Sequence, residues 1–148
     1  LIVTRTFSKA YGLAGLRVGY MAAHPEILDE INKVRLPYNL NSFSQLTACT
    51  VLENLDLFKP VIEKIITERD RIYAELLKID DIYPFPTDAN FILMRFSDDA
   101  DRVFEKLISE GILIRNLNRP GKLQNCLRVC VGKPEENDKF LKCLSKIV

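Results

Sequence analysis

The chain has 148 residues, 47% of them apolar, and a formal net charge of +1 at pH 7. Its 21 basic and 20 acidic residues are interspersed, which argues against electrostatic binding to nucleic acid. Every apolar run is shorter than a membrane span, and no signal peptide with a basic n-region is evident. Composition therefore predicts a soluble cytoplasmic protein with one ordinary domain or two small ones.

The first part of the chain predicts two strands followed by two helices. The β-branched run at residues 1–7 indicates a strand, and residues 16–23 indicate a second strand after a glycine-rich bend. Helical spacing predicts a helix over 24–35, which Pro37 ends, and another over 41–55 with Asn41 or Ser42 as its N-cap. A strand like the first usually needs neighbours on both sides, and too few follow it. We therefore expect the chain to be the back part of a longer protein.

The rest of the chain predicts a long helix and then a small layered unit. Apolar residues recur at helical intervals over 59–79, a length that suits a helix joining two domains. Pro84 then indicates a loop, and from residue 88 onward the predicted order is β-α-β-β-α. Ser97 is the expected N-cap of the first helix in that unit, and Gly111 is expected just beyond its C-terminus. The strands are expected at residues 89–96, 111–117 and 127–132.

No spacing of cysteines, histidines or acids predicts a metal centre. The cysteines match neither a zinc pair nor a dense disulfide framework, so we expect reduced thiols. His24 is the single histidine, which excludes a metal site built from several histidines. The acids at 98–101 fit the first turn of a helix. The four cysteines are Cys49, Cys126, Cys130 and Cys143.

Lys9 stands in an unusual setting, directly after an apolar strand and before a segment with three glycines and a single arginine, Arg17. A lysine held at a strand end can be partly desolvated, which makes its amine a nucleophile toward carbonyls. Arg17 offers a forked cation suited to a phosphate, and Ser8 adds a hydroxyl group. The glycines allow the backbone to approach a ligand closely. Together these groups predict a site for a phosphate-bearing aldehyde.

The string TFSKAYGLAGLRVGY, residues 6–20, resembles the cofactor-lysine motif of fold-type I, aspartate-aminotransferase-like enzymes, which use pyridoxal 5′-phosphate. In that family the matching lysine, Lys9, binds the cofactor covalently and serves as the catalytic base. The matching Ser8 and Arg17 bind the cofactor phosphate. From the residues alone, a surface lysine and a salt-bridged arginine on a hairpin are the alternative.

Other segments resemble histidinol-phosphate aminotransferases within that family, namely LPYNLNSFSQ at 36–45 and TDANFILMRF at 87–96. In the tail, Arg115 and Arg128 match the arginines that meet the substrate phosphate in those enzymes. Two guanidinium groups suit the charge of a phosphate ester better than one. Without the resemblance, arginines paired with acids on an exposed sheet face would be the commoner explanation.

The resemblance implies an α/β fold. Residues 1–60 would be the end of the cofactor-binding large domain, 61–80 a linking helix and 81–148 a small α+β domain. The acid that pairs with the pyridine nitrogen, the aromatic residue that stacks on the ring and a tyrosine lent by the partner subunit are expected N-terminal to Leu1. The chain alone is therefore expected to be incomplete and inactive.

The implied function is transamination of histidinol phosphate with 2-oxoglutarate or glutamate in histidine biosynthesis, by a homodimer that binds neither nucleic acid nor membrane. A threonine-phosphate decarboxylase-like enzyme shares these motifs and is one alternative. A different class I or II aminotransferase is another. A third alternative is a non-catalytic interaction domain in which Lys9 is solvated.

Overall fold

The computed structural model describes residues 1–148, which divide into two compact units, residues 1–62 and residues 63–148. Each unit has its own buried apolar cluster, small in the first unit and extensive in the second. Helices and strands both occur, which confirms the predicted α/β class. None of the helices combines the length and the apolarity needed to cross a membrane.

The first unit opens with a two-stranded antiparallel ribbon of β1 (Ile2–Thr6) and β2 (Gly19–Ala23). A Cβ atom at Gly19 would lie 2.7 Å from the Arg5 carbonyl oxygen, so the close approach of the two strands requires glycine there. Strand β2 begins later than predicted because the residues before it form a short 3₁₀ turn instead of extended backbone.

Two helices complete most of the first unit, α1 (Pro25–Val34) and α2 (Ser42–Glu53). Pro37 lies in the connection between them, as predicted. Of the two predicted N-caps of α2, Asn41 is the one observed, because its side chain accepts a hydrogen bond from the Ser44 N–H at 2.9 Å. The buried cluster of this unit consists of Phe7, Val18, Ala48 and Val51.

Helix α3 (Leu55–Leu76) follows almost at once, and it starts and ends earlier than the predicted range. Pro60 lies inside this helix near its start. The first four N–H groups of any helix have no intrahelical partner, so Pro60 removes only one of the first few helical bonds. The predicted start at residue 59 was wrong, because the apolar spacing alone does not reveal the first turn of the helix, which begins at Leu55.

The elements of the second unit after α3 are β3 (Ile82–Pro84), β4 (Phe91–Phe96), α4 (Ala100–Ser109), β5 (Arg115–Asn116), β6 (Cys126–Cys130) and α5 (Pro134–Ile147). The four strands form an antiparallel sheet in the order β3-β4-β6-β5. From residue 88 onward the elements follow the order β-α-β-β-α, which confirms the prediction. Strand β3 was predicted as a loop because it ends in proline, but an edge strand tolerates a residue that lacks an N–H donor. Strand β5 is much shorter than predicted.

Alternation along the central strands separates a buried face of this sheet from the opposite face. Leu127 and Val129 of β6 are buried, and they join a cluster to which all three helices of the unit contribute. Successive side chains on a strand point to opposite faces, so Arg128 lies on the face away from that cluster. The other fully buried members include Ile72, Leu76, Ile92, Met94, Leu107 and Leu144.

The N-terminus of α4 differs from the prediction, whereas its C-terminus agrees with it. The N-cap is Asp99, whose Oδ1 accepts hydrogen bonds from the N–H groups of Asp101 and Arg102 at 2.9 and 3.3 Å. Ser97 instead donates from its hydroxyl to the Asp81 carbonyl oxygen at 3.0 Å, because the helix begins only at Ala100. Beyond the helix, a glycine adopts φ of 72°, as predicted, and its N–H completes the turn by donating to a carbonyl oxygen of α4.

The corrected cap gives a stability test. Asp99→Ala should lower the free energy of unfolding of the full-length protein by about 1 kcal/mol, because two N–H groups of the first turn lose their acceptor. The neighbouring Asp98→Ala should change it by less than about 0.5 kcal/mol, since Asp98 is exposed and caps nothing. Chemical denaturation measures both. Equal losses from the two variants would contradict the cap.

Candidate functional site

Ser8 and Lys9 lie on the connection that joins β1 to β2, and short hydrogen bonds shape this connection. The Gly12 N–H donates to the Lys9 carbonyl oxygen at 3.1 Å, and the Ser8 N–H donates to the Thr6 hydroxyl at 3.1 Å. The buried ring of Phe7 anchors the segment in the core of the first unit. The connection is therefore a defined turn rather than a free loop.

Lys9 lies three residues beyond the end of β1 and is exposed. We expected a lysine at the strand end with a partly desolvated amine. Residues 1–62 leave the Lys9 side chain exposed on a turn. The role expected of its amine therefore stays a prediction.

Arg17 holds a backbone conformation that is uncommon for a residue with a side chain. Its φ is 54°, in the left-handed region that costs a non-glycine residue roughly 1 kcal/mol or more. Its Nη1 donates to the Ala14 carbonyl oxygen at 2.8 Å. The buried hydroxyl of Ser44 donates to the Leu16 carbonyl oxygen at 2.9 Å, so α2 supports the turn from below. Strain that is maintained in this way is typical of binding sites.

A cavity of about 460 Å³ lies beside Arg17 in the first unit. Tyr38 lines it and is a second residue with a left-handed backbone, at φ of 57°. Arg35 also lines the cavity. Sequence patterns did not single out Arg35, because it ends an amphipathic helix where a basic residue is ordinary. All three predicted cofactor-site side chains, those of Ser8, Lys9 and Arg17, thus lie on one connection of the first unit.

Arg115 and Arg128 are brought together in the second unit, directly opposite each other on β5 and β6. Both line a cavity of about 640 Å³. The Arg128 guanidinium lies 4.7 Å from the centroid of the Phe91 ring, and the Arg128 Nε is buried without a hydrogen-bond partner. Cross-strand neighbours have Cβ atoms roughly 5 Å apart, a distance at which two like charges repel each other.

Neither arginine takes part in a salt bridge with an acid of the chain. The commoner fate of strand arginines, pairing with acids on an exposed face, therefore does not apply here. A guanidinium group is permanently charged and presents donors in a fork that matches phosphate oxygens. Two of them at one cavity form a site suited to an anion with more than one negative charge.

The family profile for "Aminotransferase class I and II" matches residues 1–144. The chain belongs to the class I and II aminotransferase family. This membership agrees with the motif at residues 6–20 and with the α/β architecture, both of which are typical of fold-type I enzymes.

Individual relatives narrow the comparison. The chain is 45% identical over 148 residues to "Histidinol-phosphate aminotransferase 1" of Carboxydothermus hydrogenoformans. The aligned region covers 100% of this chain and 42% of that protein. The structure of the histidinol-phosphate aminotransferase from Sinorhizobium meliloti in complex with pyridoxal-5′-phosphate has a TM-score of 0.82 at 31% identity, over 99% of this chain and 40% of that one. The L-threonine-O-3-phosphate decarboxylase from Porphyromonas gingivalis has a TM-score of 0.85 at 26% identity, over 99% and 46%. The chain thus spans less than half the length of the proteins it matches.

The arginine pair predicts a response to anions. Without an added anion, Arg115→Ala should leave the free energy of unfolding unchanged or raise it by up to about 0.5 kcal/mol, because it removes a repulsion between like charges. Inorganic phosphate should then raise the unfolding temperature of the wild-type protein more than that of the variant. Thermal unfolding with and without phosphate measures both effects.

Arg119→Ala is the matched control, since this exposed arginine does not line the cavity. The control should respond to phosphate like the wild-type protein. An Arg115→Ala protein that phosphate stabilises as strongly as it stabilises the wild type would show that the pair does not bind anions.

Proposed function

We propose that this chain is the C-terminal part of a pyridoxal 5′-phosphate-dependent aminotransferase that converts histidinol phosphate, with glutamate and 2-oxoglutarate as the second pair, in histidine biosynthesis. The observation that carries the substrate class is the pair of facing guanidinium groups of Arg115 and Arg128, neither of which forms a salt bridge with an acid. Family membership and the curated relatives at about 45% identity support the reaction class.

The residues on the β1–β2 connection fit the cofactor. Lys9 supplies a primary amine for the aldehyde carbon, and Ser8 supplies a hydroxyl group for the phosphate. Arg17 uses one nitrogen for the Ala14 carbonyl, which leaves further N–H donors of its guanidinium group for phosphate oxygens. When bound, pyridoxal phosphate supplies an electron sink for the bond that breaks at the substrate Cα.

The protein side of the reaction follows from these assignments. Lys9 would hold the cofactor between turnovers, and its amine would then move the proton between the substrate Cα and the cofactor C4′. Arg17 and Ser8 would keep the cofactor phosphate in place. Arg115 and Arg128 would hold the substrate phosphate, which orients the reacting end of the substrate.

A threonine-phosphate decarboxylase is the second candidate, because the enzyme of that name from Porphyromonas gingivalis has the same fold over nearly the whole chain. Its substrate also carries a phosphate, so the arginine pair alone does not separate the two reactions. The identity of 45% to a histidinol-phosphate aminotransferase, against 26% to the decarboxylase, favours transamination. Product analysis decides, since only decarboxylation releases CO₂.

The exposed apolar residues of the first unit support a larger assembly, which we propose to be a cytoplasmic homodimer. Large apolar side chains are exposed on β1, β2, α1, α2 and the connection between the two helices, and large exposed apolar patches mark interaction surfaces. The exposed side chains include Ile2, Tyr20, Val34, Leu36, Phe43 and Leu46.

For the domains, we assign residues 1–60 to the large domain, 61–80 to a linking helix and 81–148 to the small domain.

The lysine assignment has a direct test in the full-length protein. Lys9→Ala should abolish turnover and leave the fold intact, because one residue supplies both the covalent attachment and the proton transfer. Borohydride treatment of the wild-type protein with pyridoxal phosphate should fix the cofactor on Lys9, as peptide mass spectrometry would show. The matched control is Lys33→Ala, which removes an exposed lysine on α1 that pairs only with Glu30.

Turnover near the wild-type rate in the Lys9→Ala protein would refute the assignment. A folded full-length protein without a borohydride-stable adduct would instead favour the non-catalytic alternative.

The substrate assignment depends on charge. Arg115→Ala should lower kcat/KM for histidinol phosphate by about tenfold to a hundredfold, the value of one charge-assisted hydrogen bond to a dianion. Half-reaction kinetics with glutamate should change much less, because Arg128 can still hold a single carboxylate. Equal losses for both substrates would show that Arg115 is structural or that the natural substrate carries no phosphate.

A further inference from the structure

Asn137 is a buried polar residue in the first turn of α5, and all the hydrogen bonds of its side chain go to two partners. Its Oδ1 accepts from the Gly132 N–H at 2.9 Å, and its Nδ2 donates to the Gly132 carbonyl oxygen at 3.1 Å. The same Nδ2 donates to Glu68 Oε2 at 2.7 Å. The residue is only 3% exposed. The side chain therefore holds both backbone groups of the glycine that follows β6.

Glu68 on α3 is itself held in a defined place. It accepts hydrogen bonds from the Arg71 Nε and Nη2 at 3.0 and 2.8 Å, and Arg71 also pairs with Asp138 at 2.8 Å. The Arg71 hydrogen bond lowers the pKa of the Glu68 carboxyl group, and the bond from Asn137 lowers it further. Glu68 is thus ionised and accepts only, which fixes the Asn137 amide with its nitrogen toward the carboxylate and its oxygen toward the Gly132 N–H.

The glycine held in this way lies two residues beyond the end of β6, the strand that carries Arg128. The Val131 N–H donates to the Asn90 carbonyl oxygen at 2.9 Å, and Cys130 lies opposite Phe91 in the register of β4 and β6. The end of β6 is therefore fastened to β4 on one side and, through Asn137, to α3 and α5 on the other.

Arg128 depends on this backbone for its position. Its Nε has no hydrogen-bond partner, and the ring of Phe91 supports its guanidinium group at 4.7 Å. A side chain without its own hydrogen-bonded anchor follows any shift of its strand. Asn137 and Gly132 also line the cavity of about 640 Å³ that both arginines share.

We propose that Asn137, oriented by Glu68, is a positioning residue for the anion site: it fixes the end of β6 so that the Arg128 guanidinium stays over Phe91 and faces the cavity. The identity of the natural anion as a substrate phosphate rests on the proposed function, whereas the positioning role needs only that Arg128 binds an anion. Asparagine suits this task because aspartate would place a second carboxylate against that of Glu68.

The test uses the full-length, cofactor-loaded protein and a double-mutant cycle. Asn137→Ala should weaken the affinity for inorganic phosphate about tenfold, because a charge-assisted hydrogen bond from Arg128 is mispositioned. It should raise KM for histidinol phosphate by a similar factor, while kcat changes little. In an Arg128→Ala background, the same substitution should change both quantities less than about twofold.

Ser97→Ala is the matched control, because it removes a comparable side chain-to-backbone tether at the end of β4, a strand that carries neither arginine. It should leave the phosphate affinity unchanged. Should Asn137→Ala fail to fold, Glu68→Gln tests the same connection, since Arg71 keeps its bond to Asp138. This milder variant should weaken phosphate binding about two- to threefold, and only when Arg128 is present.

Equal effects of Asn137→Ala with and without Arg128 would overturn the proposal, since a merely structural residue acts independently of the arginine. Unchanged phosphate affinity in a folded Asn137→Ala protein would overturn it as well. If Arg128→Ala weakens phosphate binding but leaves KM for histidinol phosphate unaltered, the proposed substrate fails while the positioning role stands.

Discussion

Arg115 and Arg128 face each other across two antiparallel strands, where like charges repel unless an anion lies between them. The strand register fixes where these arginines lie. Leu127 and Val129, on either side of Arg128, are buried in the core. A shift of the β6 register by one residue would bury Arg128 and expose both apolar side chains. Burial of apolar side chains on one face of the sheet therefore keeps the two arginines close together on the other face, although they repel each other. We propose that a bound phosphate relieves this repulsion.

The first unit uses backbone strain in a similar way. Arg17 adopts a left-handed conformation that the 3₁₀ turn and the buried hydroxyl of Ser44 maintain. The result is a guanidinium group presented beside a cavity, on the same connection as Lys9. Arg17 and Arg115 are exposed, and Arg128 is half-buried. Buried neighbours such as Ser44, Leu127 and Val129 set the positions of these arginines. Substitution of such a neighbour is expected to affect the site by shifting the position of the arginine.

Local patterns in the sequence predicted most of the architecture and the candidate residues. The left-handed glycine after α4 and the Asn41 cap depend on contacts within a few residues, which single-sequence reasoning can follow. Asp99 was missed because Ser97, Asp98 and Asp99 are all acceptable caps. In the structure the helix begins at Ala100, which is buried in the core. The hydrogen bond between Glu68 and Asn137 joins residues 69 positions apart, and no periodicity indicates such a contact.

The two units differ in how much of a site they complete. The second unit buries an extensive core and forms its arginine-lined cavity from residues of its own. The first unit has a small buried cluster, broad apolar exposure and an exposed Lys9. A lysine that reacts with an aldehyde at neutral pH needs desolvation or a neighbouring cation, and residues 1–62 supply little burial there. We propose that segments which the 45%-identical relative has in addition cover Lys9, since this chain spans 42% of that relative. The cavity that Arg115 and Arg128 line is, by contrast, formed by residues 111–140 of this chain.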